Sequence, residues 1–201
     1  MYFPLLIFTC AVLVQAEVTI FEADPPKPTN HALIARQIIH SSDWVSLSTI
    51  STIPTIKSFP YTNLESIVDG VNEEGNGVPY FFVTALDPSV KDITADNRCS
   101  VMASLAQGDW CKKYDIDQED PRCSRVMLSG NFLMVDNKTE EYTLAMNNMF
   151  NRHPESKIWE NFHTFVMAKL DIKYITLFDW FGGLKNIDLT DYFNANENNV
   201  L

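Results

Sequence analysis

The chain has 201 residues, with 26 Asp and Glu against 15 Lys and Arg, a formal net charge of −11 and a sequence pI of about 4.7. Nucleic-acid binding draws most of its affinity from Lys and Arg contacts to phosphates, so this balance, without a basic cluster, excludes that partner class. Beyond the N-terminus no stretch approaches the roughly 20 consecutive apolar residues that a membrane helix needs.

Residues 1–16 carry no charged side chain and hold an apolar run from Leu5 to Val14, followed by Gln15 and Ala16. The run is too short for a bilayer and ends in small residues, as a secretory signal peptide does, so Glu17 is expected to begin the mature chain. Residues 17–28, with Glu22, Asp24, Pro25, Pro26 and Pro28, read as an extended leader, and one domain is expected over 29–193. Thr29 or Asn30 is placed to cap a helix whose apolar positions are Leu33, Ile34, Ile38 and Ile39, closed by Ser41 to Asp43. From Trp44 to Ile53 β-branched residues alternate with small hydroxyl groups, which predicts a strand ended by Pro54.

Residues 54–76 hold Pro54, Pro60, Gly70 and Gly75 among polar side chains and read as a long excursion between strands. Further strands are predicted at Val78 to Ala85, Cys99 to Ala106 and Arg125 to Val135, with a bulge or close backbone approach at Gly130. A second helix is predicted over Lys138 to Asn151, with Asn137 and Glu140 as a capping box and Pro154 as its stop. Two closing strands, Asn161 to Leu170 and Ile172 to Asp179, lead to Gly182 and Gly183, and the Asn-rich end, 194–201, reads as a flexible tail. The pattern is α+β and mainly β, which suits a small barrel with flanking helices or another α+β sheet.

Cys10 leaves with the signal peptide, so Cys99, Cys111 and Cys123 remain in an oxidising lumen and cannot all pair within one chain. Cys111 and Cys123 flank the polar segment 112–122, which a disulfide between them would close; a reactive Cys111 thiol beside Lys112 and Lys113 is the other reading. Cys99 opens an apolar run and reads as a small buried thiol. Asn137-Lys138-Thr139 is a sequon for N-glycosylation. His31, His40, His153 and His163 lack zinc-type spacing, and the acidic run from Asp115 to Asp120 lacks the Gly and terminal Glu of a calcium loop, so no metal ligand is expected. Trp44, Trp110, Trp159 and Trp180 read as core or interface packing.

Five segments recur in order: SDWVSLSTIST at 42–52, GVPYFF at 77–82, MLSG at 127–130, RHPE at 152–155 and FGG at 181–183. Together with Ser104-Leu105-Ala106-Gln107, Cys111-Lys112-Lys113 and Ala168-Lys169-Leu170, they resemble the CREG family of secreted glycoproteins, the cellular repressors of adenovirus-early-gene-stimulated transcription. The resemblance implies a split β-barrel similar to flavin-binding split-barrel oxidases, and a homodimer with the flavin region at the subunit interface. It also implies a glycan recognised by a mannose-6-phosphate receptor, hence a secreted or lysosomal protein in growth and differentiation control. Flavin-binding relatives place Arg or Lys on the strand that here reads Val78 to Phe82, where nothing basic stands. Lys91 is the one residue falling where such relatives hold the phosphate of flavin mononucleotide (FMN). No cofactor or catalytic residue is therefore expected, with the 54–76 segment filling the pocket. The rivals are a flavin-dependent oxidoreductase and a lumenal carrier of a small ligand.

Overall fold

The computed structural model describes residues 24, 25, 27 and 29–195. The expected signal peptide at 1–16, most of the 17–28 leader and the tail beyond 195 lie outside the described residues. Helix α1 spans His31–Ser41, and Asn30 is its cap, with the side-chain oxygen accepting from the Leu33 N–H at 3.0 Å. Leu33, Ala35, Ile38 and Ile39 form its buried stripe. Strand β1, Trp44–Ile50, buries Val45, Leu47 and Thr49 and turns Ser46 and Ser48 outward. It stops short of Ile53 because the backbone N–H and hydroxyl of Thr52 turn aside to the carboxylate of Asp92.

The largest departure from the sequence reading is β2, Pro60–Asp69, in the middle of the expected excursion. It pairs with β1 from Ile50↔Pro60 to Trp44↔Ser66. Its inward positions Tyr61, Asn63 and Glu65 are polar and only half-buried, so the alternation that marks a strand is missing from its first half. The expected excursion is therefore corrected to a stave of the barrel.

Strand β3, Pro79–Thr84, is followed by α2, Pro88–Ala95, a helix beyond the two expected above. Its signals are an Asp87 cap, accepting from the Ser89 N–H at 2.6 Å, and proline at the first helical position. Strand β4, Arg98–Ser104, leads to the single-turn helix α3, Trp110–Lys113, and then to β5, Arg125–Met134. Helix α4, Glu140–Arg152, is capped by Thr139, whose hydroxyl accepts from the Tyr142 N–H at 3.2 Å, so the capping box expected at Asn137 is corrected. After the short α5, Ser156–Trp159, the two strands expected at the end are one continuous strand, β6, Phe165–Phe178. Strand β7, Lys185–Ile187, and α6, Leu189–Asn194, complete the described chain. Asn194 ends α6 and Ala195 is buried, so the ordered fold runs two residues further than expected.

All pairings are antiparallel, in the order β3-β2-β1-β4-β5-β6, and β3 pairs back onto β6 to close a six-stranded barrel. The length of β6 allows this: Phe165 to Lys169 pair with β3, while Ala168 to Phe178 pair with β5 and Ile175 to Leu177 also hold β7. Its interior is packed with Leu47, Ile67, Phe81, Val101, Leu128 and Ile175, among others. Because β1 begins beside the end of α1 and ends beside Asp92 of α2, these helices close opposite mouths of the barrel. Helix α4 packs Ala145 and Met149 against Val68, Tyr80, Phe82 and Met167 on the outside of β2, β3 and β6.

A disulfide joins Cys111 and Cys123, 12 residues apart, around a small cluster with Ile116. The reactive-thiol reading of Cys111 is thereby set aside. Cross-linking a loop of this size limits the unfolded chain, so replacing both cysteines with Ala is expected to cost about 3 kcal/mol. Thermal unfolding followed by circular dichroism should show a fall in Tm of roughly 6–12 °C. An unchanged Tm would mean that the cluster holds the loop without the bridge.

Candidate functional site

The first region of interest lies where β2 meets the N-terminus of α2. A helix N-terminus presents free N–H groups and suits an anion. Here it is filled from within: Asp87 caps it, and Glu65 stands beside Asp87 from β2. Asn63 Nδ2 donates to Glu65 Oε1 at 3.3 Å and to Asp87 Oδ2 at 3.1 Å, tying the two acids together. Burial, and then the charge of Asp87 and a hydrogen bond with it, push the Glu65 carboxyl up to about 8. Glu65 thus keeps its proton at neutral pH and donates it toward Asp87. Lys91 stands one turn into the same helix with an exposed side chain.

On β3 the position facing the outer helix is Tyr80, whose hydroxyl donates to Glu141 Oε1 at 2.5 Å. Lys169, the register partner of Tyr80 on β6, also bonds Glu141. Burial, then the bond and charge of Glu141, raise the Tyr80 phenol, while Lys169 and Tyr80 hold the Glu141 carboxyl below its ordinary value. The lysine paired with this strand is therefore already engaged by a carboxylate.

The second region is the outer face of β2, β1, β4, β5 and β6. A row of hydroxyl groups crosses it, Thr62, Ser48, Ser100, Ser129 and Tyr174, each the register partner of the next. Ser48 and Thr62 bond at 3.2 Å, and Ser100 and Ser129 at 2.7 Å. Trp44, Leu64, Met102 and Tyr174 are exposed around this row. A groove of about 490 Å³ follows it, with Arg98 and Lys173 at its rim. Two of the five segments noted above, 42–52 and 127–130, place their alternate residues on this one face.

Asn137 is exposed in the turn between β5 and α4. Cys99 is buried in the barrel core as expected, and burial pushes its thiol up to about 12. His153 has a structural task, with Nε2 donating to the Ile67 carbonyl at 2.9 Å while Arg152 bonds the Ser42 carbonyl at 3.3 Å, so the 152–155 segment ties the end of α4 to β2 and to the C-cap of α1. His31 and His40 bond the buried Asp179 and Asp69. Among the described residues no three His, Cys, Asp or Glu side chains are grouped to hold a metal, and no helix is long and apolar enough to cross a membrane. Glu65 escaped the sequence reading because its strand did; the available signal was the Asp87-Pro88 helix start, which places a carboxylate at that end of the barrel.

A family model described as CREG, beta-barrel matches residues 26–194. The chain belongs to the CREG family. It is 38% identical over 173 residues to Protein CREG1 of Mus musculus, covering 85% of this chain and 78% of that protein. In fold it is similar to a heme binding protein from Mycobacterium smegmatis, with a TM-score of 0.63 at 16% identity, covering 84% of this chain and 61% of the other. It is also similar to a pyridoxinephosphate oxidase family protein from Clostridium acetobutylicum, with a TM-score of 0.54 at 9% identity, over 81% of this chain and 96% of the other. At such identities these likenesses establish the fold alone, a split β-barrel with flanking helices.

Proposed function

We propose that this CREG-family protein is a secreted or lysosomal glycoprotein without enzymatic activity, which works as a homodimer by binding other proteins or receptors in growth and differentiation control. The observation that carries the non-enzymatic reading is the Glu65–Asp87 pair. A flavin phosphate needs cations or a cluster of free backbone donors. At the helix end beside Lys91 it would meet two acidic side chains and a backbone N–H already bonded to Asp87. The residues present do not fit FMN, and no chemical step is assigned through it.

The exposed apolar side chains along the hydroxyl row support a second copy as the occupant of the open sheet face, since large uncovered apolar patches on soluble proteins mark interaction sites and most homo-oligomers are two-fold symmetric. The sequon at the exposed Asn137 supports a glycan that a mannose-6-phosphate-type receptor would read. Purification of the chain secreted from insect cells, without added flavin, tests these points together. The expected result is a colourless dimer by native mass that loses one glycan on endoglycosidase treatment and takes up no supplied FMN. One flavin per subunit would overturn the non-enzymatic reading, and a monomeric mass the dimer.

A further inference from the structure

A cavity of about 330 Å³ lies apart from both regions above, between α1 and the turn closed by the disulfide. Its apolar wall is built from Ile34, Ile38, Leu105, Trp110 and Trp180. Gln37, Ser41 and Ser124 also line it, yet most of its surface is apolar, and that size and surface are what small-molecule sites share. Asp179 also reaches it, but its two oxygens are taken by His31 and Lys185. The remaining charged group is Arg122. Its Nε and Nη2 form a two-pronged pair with Asp120, at 3.0 and 2.8 Å, which fixes the guanidinium plane. The outer nitrogen, Nη1, donates at 2.8 Å to Asp24, a leader carboxylate that is itself 82% exposed.

Asp24 is a surface carboxylate brought from 98 residues away in sequence to an arginine at an apolar, tryptophan-lined cavity. A ligand carboxylate would make the same bond and bring an apolar body to fill the space. We propose that this cavity binds a small aromatic monocarboxylate, with its ring against Trp110 and Trp180 and its carboxylate on Arg122 in place of Asp24. Asp24 is then an internal competitor, holding the arginine until the ligand arrives.

Phenylpropionate is a suitable probe, titrated into the secreted chain by calorimetry and by quenching of tryptophan fluorescence, with phenylpropanol as its neutral counterpart. Saturable phenylpropionate binding is expected, about tenfold tighter than that of the alcohol, because a charge-assisted bond to Arg122 is lost with the carboxylate. Asp24→Asn, at an exposed position, should tighten phenylpropionate binding about threefold, the scale of losing a surface ion pair as competitor. Ser41→Phe, at the exposed end of α1 on the cavity rim, should abolish both signals. Arg122→Met would also break the Asp120 pair and risk the fold of the loop, so Asp24→Asn carries the test. Equal affinity for acid and alcohol, an unchanged affinity in Asp24→Asn, undiminished binding by Ser41→Phe, or no saturable binding at all would each overturn the proposal.

Discussion

Replacing Glu65 with Gln is expected to stabilise the protein at pH 8, leave it nearly unchanged at pH 5, and flatten a stability profile that in the natural protein falls as pH rises between them. Glu65 takes its proton at about 8 in the folded chain, against 4.5 for the free side chain, because burial and the neighbouring Asp87 disfavour its charge. Between these values only the folded state holds the proton, so unfolding releases it and stability declines with increasing pH. The contribution is fully present below about 4.5 and is lost as pH rises through about 8. At about 1.4 kcal/mol per unit, and allowing for relaxation of a half-buried site, the loss is about 2–4 kcal/mol. This corresponds to a fall in Tm of roughly 4–16 °C between pH 5 and pH 8. Glutamine keeps the shape and a donor for Asp87 but cannot ionise. Thermal unfolding of both proteins across this range checks the assignment, and a wild-type Tm that is level from pH 5 to 8 would refute it.

Other carboxyls act with the opposite sign. Asp92 is lowered by its bonds to Thr52 and Thr49, which outweigh burial, and Glu141 is lowered by Lys169 and Tyr80. Their contributions are present above the ordinary carboxylate range and are lost only as pH falls through their depressed values. Together with Glu65, these groups contribute most on the mildly acidic side of neutrality. The same Glu65–Asp87 pair stands against a phosphate ligand, so one local arrangement bears on both stability and cofactor choice.

What could be read in advance followed the physics of each element. Helix α1, strand β3 and the bulge at Gly130 carry strong local signals, namely a cap with a helical apolar stripe, an unbroken apolar run, and a glycine inside a strand. Strand β2 was illegible because its inward side chains at the barrel mouth are polar and its outward Leu64 is exposed, the reverse of the usual alternation. Strand β6 read as two because Asp171 and Lys173 interrupt its apolar run; they lie at the bulge, which exists only once β5 is alongside. The disulfide and the buried Cys99 were legible from spacing and compartment. The Glu65–Asp87 pair and the Asp24–Arg122 contact were not, since both join residues from distant parts of the chain.

Gly130→Ala is expected to be among the most damaging single substitutions in the protein. At the bulge the register passes from Ser129↔Tyr174 to Gly130↔Ile172, so Lys173 is left without a partner and β6 presses toward β5. A Cβ added at Gly130 would sit 2.1 Å from the carbonyl oxygen of Asp171 and 3.1 Å from the Cα of Ile172. Both are backbone atoms of the longest strand, which β5 and β3 hold from opposite edges, so no side chain can swing away to make room. Relief requires the β5–β6 ladder to part where the barrel core, with Phe132 and Ile172, is packed on it. Forcing a methyl into such a site costs about 3 kcal/mol or more. The expected result is a drop in Tm of roughly 6–12 °C or loss of soluble protein on secretion. Gly108→Ala, where an added Cβ meets nothing within 4 Å, serves as the control and should unfold close to the natural protein. If Gly130→Ala matched that control, the close approach of β5 and β6 would be wrong, and with it the bulge that shapes the groove on the open face of the barrel.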